Sequence, residues 1–564
     1  MYNFFKKEFV LPIFIIILII PLFSSLLRPG FFPMQDDLQA FRVQQMVKCL
    51  QDFQIPCRWI PDMGYQYGYP QFNFYPPSVF YFGGVLNLLG IQVIDAVKIL
   101  FILGFIFAAL SMYIFLKSLL GKWPAFVGAI LYSVVPYKAT EVYVRGSLSE
   151  FWAFVFFPMI FWASLQLIRL SELKYVAYLA ISIGLLLITH SLMSFMFLPI
   201  FGIWLLTLML VWKKWRFFPK ITVGCLLGLG LAAFFILPVI FESKYVHLET
   251  LTGGYFDWRQ HFVDLKQLFL SNYFGYGSSS LGPNDDLSLS TGIVHWILGL
   301  LTVILTIFTF KKDKKIGILV LVAAAVELAV LFLIHQRSTF IWEKIPGLSW
   351  LQFPWRFLAD STFILSFLGA IALYIISNYN KKIGIALGVL VIVSLFVLHA
   401  SFFKPREWLT ISDSDKFSNL SWEKQLTISI FDYLPIYAKF PPTQKAPNLP
   451  EVLTGDVVFS NYKKGSNYQI GQIKVKKDAI LRLPLFDFPG MQVLIDGKKI
   501  EHTHNDCRNE QFCLGLITVK VLQGDHTIEA KLSDTPIRQI GNIITLISIL
   551  ITFVLFLKNE KVVT

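Results

Sequence analysis

The chain has 564 residues, of which 55% are hydrophobic, 16% aromatic and only 15% charged. With a mean hydropathy of +0.61 and many apolar runs of spanning length, it is too apolar for an ordinary soluble protein and reads as a polytopic membrane protein. The net charge of +13 lies in short basic clusters between apolar runs, with no basic stripe or reading motif, which excludes a nucleic-acid partner.

The N-terminal stretch MYNFFKKEFVLPIFIIILIIPLFSSLL has a charged start and an apolar core but no convincing small-x-small cleavage site, so it is read as an uncleaved first helix. Apolar segments lie at 8–27, 94–118, 124–137, 148–168, 174–190, 193–211, 218–240, 291–310, 316–334, 354–377, 382–402 and 538–557, about twelve spans by hydropathy. Twelve crossings place Lys6-Lys7, Lys117 with Lys122, Arg169 with Lys174, Lys213-Lys214-Arg216, Lys311-Lys312-Lys314-Lys315, Lys381-Lys382 and Lys558 all in the cytoplasm, as the positive-inside rule asks. That parity makes 78–90, with its Gly83-Gly84, an interfacial or re-entrant helix that does not cross. Both termini are then cytoplasmic. Loops 28–93 and 241–290, turns near 138–147 and 190–192, a loop at 335–353 and a soluble region at 403–537 face outside. The expected units are a transmembrane domain at 1–402, an extracytoplasmic β-rich domain at 403–537 and a last helix with a cytoplasmic tail at 538–564.

Cys49 and Cys57 fall in the first outer loop, Cys507 and Cys513 in the soluble region, and Cys225 in a span. Two local pairs on an oxidising side read as disulfides; four free thiols are the alternative, and the spacings do not suit zinc. In the soluble region 469–475, 480–485, 492–495, 516–521 and 527–532 alternate or are β-branched, with turns at Asp496-Gly497 and Gly524-Asp525. A small β-sandwich at about 455–535, behind a Pro-rich connector at 440–450, fits this pattern.

The polar residues near the membrane plane gather at the outer ends of the spans. Asp36-Asp37 is placed to deprotonate an acceptor hydroxyl, to hold a divalent cation such as Mg or Mn, or simply to cap the helix that follows at 38–51. In YVRGSLSEFWAF, Arg145 and Glu150 flank a Gly146 turn, as a structural ion pair or as a phosphate or sugar contact with a second carboxylate. His190 in THSLMSF ends an apolar helix, and Arg356 in LQFPWRFL sits between two aromatics, where it can snorkel or offer a guanidinium fork to a phosphate. Glu327 lies mid-span and reads as a helix-packing hydrogen bond or part of a headgroup path. The aromatic run 65–81, including Tyr75, and the loop segment GGYFDWRQHF, with Trp258 and Arg259, offer flat faces and donors for sugars. An interfacial aromatic belt is the ordinary explanation of the first, and a mobile flap over a site is the reading of the second.

The order of these features resembles the GT-C superfamily of integral-membrane glycosyltransferases. More narrowly, DDLQAFR, CRWIPDMGYQYGYPQFNFYPP, YVRGSLSEFWAF, THSLMSF and LQFPWRFL are similar to bacterial membrane proteins labelled 6-pyruvoyl-tetrahydropterin synthase-related, and PLFDFPGMQVLIDGKKI to the end of YfhO-type proteins. A pterin synthase would need a soluble metal-binding core, and the sequence shows nothing of the kind. The resemblance implies a GT-C-like helical bundle that transfers sugar from a polyprenyl-phosphate donor to a glycan, lipid or protein acceptor on the outer face. It implies Asp36 or Asp37, with Asp37 preferred, as general base, and Arg145 and Arg356 against the leaving phosphate. Many relatives carry a His shortly after the acidic residue where this chain has Phe41, which argues against a His-assisted or His-metal role. A non-catalytic binder of lipid-linked glycans, a flippase component or an envelope-assembly scaffold on the same fold is the alternative; a transporter should show repeats, and none is visible.

Overall fold

A computed structural model describes residues 2–282, 285–504 and 513–558, with side chains from residue 9 onward. Apolar sequence in a medium without water leaves the backbone only helices or closed barrels, and long continuous apolar runs favour helices. Among the described residues eight helices are long and apolar enough to cross a membrane: Phe9–Leu27, Val93–Leu120, Leu148–Leu170, Ser191–Trp212, Lys314–Ile334, Pro354–Tyr379, Lys381–Phe402 and Pro536–Leu557. A ninth is counted if Trp215–Leu231 and Ala233–Tyr245, bent by 69°, form one span.

The twelve expected spans are therefore not twelve long helices. Lys174–Thr189 and Ile293–Thr309 are shorter, and the stretch from Lys122 breaks into Lys122–Ser133, Pro136–Thr140 and the wide turn Glu141–Arg145. Pro136 causes that break, because a residue before proline is forced out of the helical region; Val135 has ψ 135. The stretch at 78–90 is an 11-residue helix, Ser78–Leu88, which at 1.5 Å per residue reaches about half of a hydrocarbon core.

The bend at Ala232 has a visible partner. The Thr545 hydroxyl of the last helix accepts from the Phe234 N–H at 3.0 Å and donates to the Gly230 carbonyl at 3.1 Å, satisfying groups that a helix break would leave bare. Glu242, at the end of the bent pair, takes Arg538 at 2.9 Å, Asn73 at 2.9 Å and Thr535 at 2.5 Å. The first loop, the bent pair and the start of the last helix are thereby locked together.

The C-terminal region forms one antiparallel sheet, β1 (Glu451–Lys464), β2 (Tyr468–Phe486), β3 (Met491–Ile495), β4 (Lys498–Ile500), β5 (Leu516–Val521) and β6 (Gly524–Leu532), ordered β1-β2-β6-β3-β4 with β5 paired to β2. The two segments expected at 469–475 and 480–485 are a single strand. Its first half pairs with β6 and its second half with β5, and the exposed Lys476, Lys477 and Asp478 mark the fold-over between them. Irregular register on β1 around Asp456 supplies the curvature. One bent sheet thus encloses Ile473, Leu481, Val493, Val519 and Ile528, where two separate sheets were expected. Asp496 and Gly497, both at positive φ, make the tight β3–β4 turn as predicted; Gly524-Asp525 instead begins β6.

Cys49 and Cys57 form a disulfide with Cα atoms 5.6 Å apart. The pairing expected of Cys513 involves Cys507, which lies outside the described residues. Cys225 is a free, half-buried thiol. Most of the aromatic run packs the sheet onto the first loop: Trp59 meets Phe488 at 5.8 Å, Tyr67 meets Phe486 at 5.4 Å, and Tyr69 is wholly buried.

Candidate active site

The Asp36 segment is held by backbone. The N–H groups of Gln35 and Asp36 donate to the carbonyls of Val144 and Arg145, both at 2.9 Å, and Gly146, at φ +67, lets Met34 pass where any Cβ would collide with its sulfur. Two stretches far apart in sequence, each carrying charged groups, are thereby fixed side by side. The helix that follows runs over Gln39–Gln51 and is capped by neither aspartate, so the capping role is not the one these residues play.

Behind this contact lies a buried ionic cluster. Arg145 bonds the carboxylates of Glu141 and Glu150, and its guanidinium lies 4.5 Å from the Trp355 ring. Arg356 donates from Nε to Glu150 Oε1 at 2.6 Å, and from Nη1 to the Leu351 carbonyl at 2.6 Å and Gln352 Oε1 at 2.9 Å. His190 Nδ1 accepts the Met193 N–H at 3.1 Å, which puts the ring proton on Nε2, 3.5 Å from Glu150 Oε1. Burial lowers this imidazole to about 4, so it is neutral at neutral pH. Four residues from four segments, Arg145, Glu150, His190 and Arg356, meet as the sequence suggests.

The aspartates are more open. Asp36, with 36% of its side chain exposed, takes Arg42 and Gln39 at 2.8 Å each. Arg42 stacks 4.2 Å from the Tyr75 ring. Tyr75, in the fields of Arg42, Asp36 and Glu150, is pushed up to about 12 mainly by burial and stays a neutral hydroxyl. Asp37, with 39% exposed, meets the buried Lys416 at 2.6 Å. Burial raises its carboxyl above the usual range, and Lys416 opposes the rise.

Two predicted site residues are elsewhere. Trp258 is buried in a stack with Trp342, 5.3 Å away, because an indole of that area is worth more in a core than on a rim. Arg259 turns to solvent beside Asp257. The loop carrying them is packed down, with His261, Phe262 and Val263 buried, rather than splayed as a flap. Phe41 is a core residue against Trp422. Glu327 accepts from Ser361 at 2.5 Å, the helix-packing contact. Sequence reading missed Glu141, Arg42, Gln352 and Lys416; only Glu141 carried a local signal, its i,i+4 spacing to Arg145.

A divalent cation does not fit the aspartate pair. The two carboxylates turn to different cations, and among the described residues no three His, Cys, Asp or Glu side chains converge, whereas Mg and Mn want several oxygen donors around one point.

These features define a polytopic α-helical membrane protein with a C-terminal antiparallel sheet and a buried ionic cluster beside an acidic loop. The chain belongs to the family described as 6-pyruvoyl-tetrahydropterin synthase related domain, membrane protein, whose model matches residues 72–360, just over half of it. No curated protein matches. Solved structures similar in fold include the arabinofuranosyltransferase AftD from Mycobacteria, at 13% identity and TM-score 0.44, covering 72% of this chain and 27% of that one. They also include an Archaeoglobus fulgidus oligosaccharyltransferase with a tethered acceptor peptide, at 12% identity and TM-score 0.44, covering 78% and 60%. The oligosaccharyltransferase AglB of the same organism, in complex with an inhibitory peptide and a dolichol-phosphate, gives 13% identity and TM-score 0.43 over 78% and 61%. The chain spans under a third of AftD and about three fifths of the oligosaccharyltransferases.

Proposed function

We propose that the protein is a membrane glycosyltransferase that moves a sugar from a polyprenyl-phosphate to an acceptor hydroxyl on the extracytoplasmic face, with Asp37 as general base. The observation that carries this reading is a partly exposed carboxylate, Asp37, paired with Lys416 and one residue along from Asp36, whose N–H bonds the Arg145 carbonyl of the buried ionic cluster. In this scheme the acceptor oxygen bonds the anomeric carbon as the bond from that carbon to the phosphate oxygen breaks. The acceptor proton passes to Asp37, and the lipid phosphate leaves with the electron pair.

Burial gives each group its task. Asp37 keeps a carboxylate that reaches solvent, while Lys416 restrains the rise of its pKa. Glu150 is enclosed by two guanidinium groups, so it acts as a positioning residue that aims Arg145 and Arg356 rather than as a proton carrier. Arg42, Arg145, Arg356 and Lys416 stand against Asp36, Asp37, Glu141 and Glu150. Burial raises Glu141, and when it holds its proton the set keeps one surplus positive charge, suited to a phosphate. The basic clusters between spans support an arrangement with both termini cytoplasmic and residues 28–93, 241–290 and 403–537 outside.

The test is transfer by purified protein in lipid vesicles, supplied with radiolabelled polyprenyl-phosphate sugars and a mixture of envelope glycans as acceptors. Release of polyprenyl-phosphate coupled to labelled glycan is the expected outcome. Tight donor binding without release sinks the catalytic reading and leaves the lipid-glycan binder.

A further inference from the structure

Apart from the ionic cluster, a cleft of about 340 Å³ opens between residues 266–273 and 285–289. Its size is at the lower end of ligand pockets, about 300–1,000 Å³. We propose that this cleft is a saccharide subsite, holding a sugar unit of the acceptor chain next to the Asp36–Asp37 segment. Its assignment to the acceptor rests on the transferase reading above; its binding of a saccharide does not.

The lining supplies what a sugar ring needs. Gln267 and Ser288 are more than nine-tenths buried, yet Gln267 Oε1 and Ser288 Oγ have no hydrogen-bond partner among the described residues. Buried polar atoms are normally satisfied, and both residues line the cleft. Gln267 Nε2 is already committed to the Leu287 carbonyl at 3.0 Å, so the amide is fixed in the wall of the cleft, with its oxygen and the Ser288 hydroxyl beneath the surface. Asp286 adds a carboxylate that accepts hydrogen bonds from hydroxyls, while the buried Asp285 is held by the Leu287 N–H at 3.0 Å. The Tyr273 hydroxyl donates to Asp286 Oδ1 at 2.8 Å, which pins a 58%-exposed ring as a flat face for the C–H side of a pyranose or furanose.

Other ligands fit less well. Two carboxylates repel a phosphate or nucleotide, and Lys266 alone does not offset them. A bare cation wants oxygens roughly 2.0–2.6 Å away on all sides, and this cleft is far wider and walled on one side by an aromatic ring.

Its placement links it to the ionic cluster. The Gly277 N–H donates to the Asp286 carbonyl at 3.0 Å, and the Gly277 carbonyl accepts from Gln35 Nε2 at 2.8 Å. The Ser288 carbonyl accepts from the Thr140 hydroxyl at 2.9 Å. The cleft thus hangs from the residues immediately before Asp36 and Glu141.

The test uses the full-length protein in nanodiscs and saturation-transfer NMR with methyl mannopyranoside, methyl galactopyranoside, methyl glucopyranoside, methyl arabinofuranoside and N-acetylglucosamine as separate probes, with calcium chloride titrated by calorimetry. Saturable binding of at least one glycoside is expected, weakened at least tenfold by Tyr273→Ala and by Asp286→Asn and unchanged by Glu327→Gln. Should Asp286→Asn fail to fold, Tyr273→Phe and Ser288→Ala keep the question open to measurement, each with a smaller loss. No saturable glycoside binding, binding indifferent to these variants, or calcium binding that they abolish overturns the subsite. Where transfer is measurable, Tyr273→Ala raises the acceptor KM and leaves kcat unchanged. Binding without any transfer would count against the transferase reading while leaving the subsite standing.

Discussion

Two pairs of acidic residues sit at membrane depth or beside it, and they are treated in opposite ways. Asp36 and Asp37 are each about a third exposed and each meet a buried cation, Arg42 or Lys416. Glu327 and Asp360, on the helices Lys314–Ile334 and Pro354–Tyr379, are buried. Glu327 holds Ser361, and Glu327 Oε2 and both Asp360 carboxyl oxygens find no partner among the described residues. An acidic residue inside a membrane protein is by default a functional candidate. Under the proposed function, a matched cation and access to solvent, rather than acidity alone, set Asp37 apart from Glu327 and Asp360 as the candidate for proton transfer.

The largest effect on stability is expected where matched charges are most buried. Glu150→Gln leaves Arg145 and Arg356 without their shared carboxylate, and breaking a buried pair costs about 3–5 kcal/mol. Thermal unfolding of the variant in detergent should show this as a large fall in Tm, and an unchanged Tm would mean that the cluster is not held through Glu150.

A more moderate effect is expected from Lys416→Met. Lys416 lowers the pKa of Asp37 against the rise from burial, so its loss lets the rise proceed. Activity that needs the deprotonated base is present above that pKa and lost as pH falls through it. The acid limb of the pH–rate profile should therefore move to higher pH; an acid limb that stays in place would detach Asp37 from catalysis.

The smallest effect is expected at the unmatched pair. Glu327→Gln keeps an acceptor for Ser361, and transfer rates within about threefold of the parent, less than 1 kcal/mol of barrier, would sharpen the contrast. A loss of the size a catalytic acid or base supplies would break it.

Much of the site was legible because its residues lie at the same ends of successive spans. Arg145 and Glu150 flank Gly146, and His190 and Arg356 end or begin helices on the face that charge parity assigns to them. The partners were not legible. Lys416 is 379 residues from Asp37, and nothing near either one signals the contact. The aromatic loop segment around Trp258 suggests a flat face for sugars, but its ring stacks on Trp342 instead. Hydropathy registers the apolar content of residues 124–137 and not the break that Pro136 imposes, so that stretch is not one long helix. In the sheet, alternation and β-branching located both halves of β2, while the polar Lys476, Lys477 and Asp478 read as a gap between two strands when they are the outer side of a bend.

In the proposed mechanism Asp37, and not its neighbour, takes the acceptor proton. This is tested most directly by measuring sugar transfer by Asp37→Asn and Asp36→Asn side by side, in the same vesicles and with folding verified by Tm. The account expects Asp37→Asn to lose about 10²–10⁴-fold in kcat, the usual contribution of a general base, and Asp36→Asn to lose less, through a misplaced Arg42. Transfer by Asp37→Asn at the parent rate, or a larger loss in Asp36→Asn, would contradict it.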